Sequence, residues 1–70
     1  MLANINHLFQ KYRVIDGDVY EIYDCFYSEY EADSTARSLY SRCQIDSFQI
    51  VTDSFENQLG ENKVWIVYVR

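Results

Sequence analysis

Asp16-Gly17-Asp18, with Glu21 close behind, gathers three carboxylates in a short stretch, the oxygen-rich grouping a hard cation such as calcium accepts. The twelve-residue loop such sites use, closed by a bidentate Glu, is not present, and Asp-Gly is already explained as a tight hairpin turn. His7 is the single histidine, and Cys25 and Cys43 form no C-x-x-C pair, so no metal-ligand spacing can be read. Each cysteine falls within a predicted helix or strand, and in such elements a thiol is more often a small hydrophobe than a nucleophile. Carboxylates are plentiful, yet a small single-sheet domain leaves little room for a pocket that desolvates one of them. There is no glycine-rich phosphate loop and no serine on a strand-to-helix turn. The expectation is a protein with no catalytic, cofactor or metal residues, not an enzyme.

A different pattern is sharper. Tyr20, Tyr23, Tyr27 and Tyr30 recur along one stretch, interleaved with Glu21, Asp24 and Glu29 and preceded by Asp16 and Asp18. Tyrosine buries a large area at low entropy cost while keeping a polar tip, and acids around it steer and orient a basic partner. These nine residues are the predicted partner-binding set. The competing explanation is that the rings complete the core and the acids line its solvated side.

Charge favours a protein partner. Six Lys and Arg stand against eleven Asp and Glu, a net charge of −5. Asp16, Asp18, Glu21, Asp24, Glu29, Glu31 and Asp33 fall in a stretch with no basic residue. Phosphate binding needs the opposite field, which disfavours nucleic acid and anionic membranes, and disfavours a module that stacks bases on sheet aromatics. A basic protein surface suits it better. The functional expectation is a small acidic protein-binding module that occupies a basic surface of a larger, nucleic-acid-handling protein and inhibits it. In size and charge the chain is similar to phage- or plasmid-encoded antagonists of host defence, anti-CRISPR proteins among them, with no shared residue motif. The alternative is a structural or assembly subunit, or a homodimer, associating through an apolar sheet face.

The elements that must position these residues are legible by periodicity. Lys63-Val64-Trp65-Ile66-Val67-Tyr68-Val69-Arg70 reads as a strand with apolar residues on both faces, hence an interior strand covered on each side. Leu2, Ile5, Leu8, Phe9 and Tyr12 recur at helical spacing and predict an amphipathic N-terminal helix over residues 2–12. A strand over Tyr12 to Ile15, the Asp16-Gly17 turn and a strand from Asp18 to Tyr27 make a hairpin. Strand alternation puts Ile15, Tyr20, Ile22, Asp24 and Phe26 on the core face, leaving Val19, Glu21, Tyr23, Cys25 and Tyr27 less buried. Ser28 and Glu31 suggest a capping box opening a helix that runs to about Cys43, with Ala32 and Ala36 small enough to lie close to a sheet. Ser47 to Phe55 alternates as a half-buried strand, and residues 56–62 read as a loop.

This order predicts one α+β domain over residues 1–70, α-β-β-α-β-β, with a four-stranded antiparallel sheet. Inserting the last strand between the second and third gives the order 1-2-4-3 and keeps the doubly apolar strand off an edge. One helix covers one face; the other face falls to the N-terminal helix, a second copy or a partner. With 49% hydrophobic and 17% aromatic residues, dense packing or self-association compensates for the small size. No secretory or membrane-spanning pattern appears, so free thiols in a reducing cytoplasm are expected.

Overall fold

The structure is a computed structural model that describes residues 5–70. Asp16 (φ 52°) and Gly17 (φ 86°) both take positive φ, the requirement of a primed two-residue turn whose twist matches its flanking strands. That turn joins β1 (Tyr12–Ile15) to β2 (Asp18–Phe26), pairing Ile15 with Asp18, Val14 with Val19, Arg13 with Tyr20 and Tyr12 with Glu21. The helix α1 (Glu29–Ser41) follows, then β3 (Phe48–Asn57) and β4 (Gly60–Val69). All neighbouring pairs are antiparallel and the strand order is β1-β2-β4-β3. The doubly apolar strand is therefore interior, as its composition predicts.

Its two faces carry two cores. Val64, Ile66 and Tyr68 pack with Tyr20, and Ile22, Cys25, Val51 and Phe55 adjoin them. On the other face Val67 is sealed by Ala32 and Ala36, with Phe26, Phe48, Ile50, Trp65 and Val69 around it. Both alanines are fully buried: their small side chains let α1 lie close on the sheet. Ser28 opens the helix by accepting the Glu31 N–H at its hydroxyl (3.3 Å), and Glu29 and Glu31 occupy the positive end of the dipole.

Four sequence expectations change. The N-terminal α-helix is not formed over the described residues; a 3-10 turn at Asn6–Leu8 stands in its place. Phe9 is extended, the Lys11 carbonyl accepts the Ile22 N–H, and the Gln10 carbonyl accepts the Tyr68 hydroxyl at 2.8 Å. Three turns of isolated helix are marginal, and these long-range bonds, with the packing of Ile5 and Phe9, hold the segment on the sheet in another conformation. The covering role survives without the helix, because Ile5 and Phe9 pack on the Tyr20–Tyr68 core. Leu2 lies outside the described residues.

Residues 56–62 are mostly strand rather than loop. Asn57 pairs with Gly60 across Gln58-Leu59, and Gly60 (φ 114°) supplies the positive φ that closes the turn. The helix stops at Ser41, short of Cys43, because Cys43 turns left-handed (φ 58°). Its N–H reaches the Tyr40 carbonyl and the Gln44 N–H reaches Leu39, the paired bonds of a Schellman ending.

The fourth change is in β2. Its register against β4 shifts between Ile22 and Asp24, where Tyr23 is the inserted residue of a β-bulge. Before the bulge Tyr20 and Ile22 face the Tyr68 core. After it, Cys25 continues on that face opposite Ile66, whereas Phe26, opposite Trp65, packs in the helix-side core. Phe26 and Cys25 thus exchange the faces that uninterrupted alternation predicts.

Candidate interaction surface

β2 and the start of α1 position the nine predicted partner-binding residues. At about 3.3 Å per residue, β2 spreads them over some 25 Å rather than gathering them at a point. Asp16 and Asp18 sit at the hairpin tip, Glu21, Tyr23 and Asp24 near the middle, and Tyr27, Glu29 and Tyr30 at the far end. Tyr20 is set apart from the other eight. Its ring is only 4% exposed, its hydroxyl is hydrogen-bonded to that of Ser47 (3.0 Å), and the Arg70 guanidinium lies over it. It holds the core together and offers a partner nothing.

The remaining tyrosines are available. Tyr23, Tyr27 and Tyr30 are exposed, Tyr30 to 81%, and Tyr27 leans on Phe55 with ring centroids 6.4 Å apart. Among the described residues Arg70 pairs with Asp18 (3.6 Å) and Arg37 with Asp33 (2.8 Å). Asp16, Glu21, Asp24, Glu29 and Glu31, all exposed, have no such ion pair among the described residues. The Asp24 carboxylate instead accepts the Cys25 N–H at 2.8 Å. That carboxylate and partial burial together push the Cys25 thiol up to about 11, burial being the larger cause. A thiol held neutral in this way is a packing group, not a nucleophile.

One part of the surface escapes the sequence pattern. The helix lies over β4 and its flanks, and the helix-side face of the β1–β2 hairpin extends beyond it. There Val14 and Val19 are direct cross-strand partners, exposed to 67% and 60%, beside exposed Tyr12. Glu21, the partner of Tyr12, supplies an acid at the edge of this apolar group. Counting back from the Asp16-Gly17 turn gives the Val14–Val19 pair, but only the position of α1 leaves it uncovered.

The grooves formed by the described residues beside Leu8 and Tyr68, Tyr40 and Asp46, and Thr52 and Lys63 are open to solvent. A groove of ≈ 350 Å³ is lined by Leu8, Phe9, Gln10, Arg13, Asp53 and Tyr68. The hydroxyl of Tyr68, one of these residues, already donates to the Gln10 carbonyl. Among the described residues no three His, Cys, Asp or Glu side chains converge where they could hold a metal ion, and no helix is long and apolar enough to cross a membrane. Compared with known proteins, the chain matches no family model, no curated protein and no solved structure.

Proposed function

We propose that this protein is a small acidic binding module that occupies a basic surface of a larger, nucleic-acid-handling protein and inhibits it. The observation that carries the reading is the succession of exposed acids, Glu21, Asp24 and Glu29, in no ion pair among the described residues, interleaved with exposed Tyr23, Tyr27 and Tyr30 from β2 to the start of α1. The acids provide long-range attraction and orientation, and the rings provide area that is desolvated on contact. Tyr12, Val14 and Val19 add apolar area beside Glu21 on the helix-side face, whereas Tyr27 leans on Phe55 on the other face.

Charge reversal tests it. The protein is used to isolate its partner, and the purified pair is then titrated with salt. Association should slow steeply as ionic strength rises, and Glu21→Lys with Asp24→Lys should weaken binding by at least about tenfold without altering the fold. Affinity indifferent to both salt and charge reversal would end this reading.

The second reading, self-association through an apolar sheet face, is favoured by the exposed Val14–Val19 pair. Both faces of β4 are covered, so that hairpin face is where it would occur. A dimer by sedimentation that is lost in Val14→Lys would support it; a monomer at millimolar concentration would not.

A further inference from the structure

The ladder between β3 and β4 runs from Phe48 through Asn57 with no register shift, and among the described residues β3 has no strand neighbour on its other side. Ser47 and Arg70 exchange both backbone hydrogen bonds, Arg70 N–H to Ser47 carbonyl at 3.1 Å and Ser47 N–H to Arg70 carbonyl at 3.3 Å. Antiparallel pairs alternate between bonded and non-bonded, so Gln49, Val51, Asp53, Phe55 and Asn57 bond to β4. Phe48, Ile50, Thr52, Ser54 and Glu56 point their N–H and C=O groups outward.

Exposed edges of this length are normally blunted by lysine, proline or a bulge. β3 contains none of these devices. One outward donor is nevertheless occupied: the Ser54 N–H is held by the Asp53 carboxylate at 2.7 Å. The open part of the edge is therefore Phe48, Ile50 and Thr52, three consecutive outward residues, and it stops at Ser54.

Acids outnumber bases around it: Lys63, the partner of Ser54, and Arg70, the partner of Ser47 and paired with Asp18, are the bases beside β3. No Lys or Arg lies between Arg42 and Lys63, whereas Asp46, Asp53, Glu56 and Glu61 do, all exposed. Glu56 and Glu61 are direct cross-strand partners, an unfavourable like-charge pair that a cation would relieve. A second copy would bring the same acids against these, and each chain carries a net charge of −5.

We propose that the outer edge of β3, from Phe48 to Thr52, docks an extended segment of a partner protein that bears lysine or arginine and adds to the sheet as a further strand. Backbone hydrogen bonds to Phe48, Ile50 and Thr52 supply the pairing. Asp46, at one end, and Asp53 and Glu56, at the other, select basic side chains. Asp53 sets where the added strand stops. This edge is separate from the tyrosine-rich surface of β2 and does not depend on it.

The test is titration of the 15N-labelled protein with a capped octapeptide of alternating Lys and Val, followed by amide shifts. The expected result is saturable change concentrated at the Phe48, Ile50 and Thr52 amides. It should disappear for the peptide N-methylated at alternate residues on its pairing edge, and for the Glu-for-Lys analogue. Thr52→Pro deletes one outward N–H that makes no ladder bond and should weaken the peptide about three- to tenfold. The N-methylated peptide leaves the protein untouched, so the test stands even if this variant unfolds. No saturable change, equal binding of the Glu analogue, shifts confined to Glu21, Tyr23 and Tyr30, or a concentration-dependent dimer that protects the same amides would each overturn the proposal.

Discussion

Cys25 and Cys43 are the same chemical group in two settings, and the difference is measurable. Cys25 is partly buried against the Tyr68 core with its thiol pushed up to about 11, while Cys43 is exposed just beyond the helix. At pH 8 a haloacetamide should modify Cys43 first, leaving Cys25 to react on the timescale of local opening, as peptide mapping would reveal. The same shift has a sign in stability. A thiol that binds its proton more tightly when folded than when unfolded contributes fully below the unfolded value, 9.0, and loses that contribution as pH rises through about 11. Burial raises the Tyr68 hydroxyl in the same direction. Denaturant midpoints should therefore fall between pH 9 and 11, and Cys25→Ser should flatten part of that fall.

At the scale of elements, Cys43 closes α1 from just beyond its last residue, and Asp53 interrupts the open edge of β3 within the strand. Cys43 adopts φ 58° at the residue that closes the helix, a conformation that costs a side-chain-bearing residue roughly 1–2 kcal/mol. Cys43→Gly should stabilise the fold by about 0.5–1 kcal/mol in chemical denaturation, the gain being reduced by the greater freedom of glycine in the unfolded chain. In β3 the Asp53 carboxylate takes the outward Ser54 N–H. Asp53→Ala would release that donor and lengthen the open edge, so sedimentation should detect more self-association than in the parent chain. Asp53→Asn keeps an acceptor oxygen and should stay close to the parent. A charge effect alone would make the two variants equal.

For the whole molecule, radius of gyration 12.3 Å and extents of 39 × 24 × 17 Å describe an elongated slab. The fold is assembled around β4, whose ten residues touch helix, hairpin and N-terminal segment at once. Ile66→Ala removes a fully buried side chain from the centre of that arrangement and should cost about 2–5 kcal/mol. A domain this small has a total stability near the low end of roughly 5–15 kcal/mol, so loss of cooperative unfolding near room temperature is the expected readout by circular dichroism. A variant with an unchanged transition would place the core elsewhere.

The sequence by itself determined the strand order, the interior place of Val64–Val69, the Asp16-Gly17 hairpin and the helix start at Ser28. Each is written in local patterns: alternation, a turn dipeptide, a capping serine, small residues at helical spacing. Tertiary structure alone decided four others. The N-terminal stripe predicts a helix, but bonds from Tyr68 and Ile22 to the Gln10 and Lys11 carbonyls tie the segment to the sheet, and Ile5 and Phe9 cover the core without a helix. The bulge at Tyr23 exchanges Cys25 and Phe26 between faces, with no glycine in β2 to announce it. Tyr20 leaves the candidate surface because its hydroxyl finds Ser47. The open hairpin face and the free edge of β3 depend on what α1 and β4 leave uncovered. Local propensity acts over a few residues and can be read from them; which surfaces remain open is set by contacts between residues far apart in the chain.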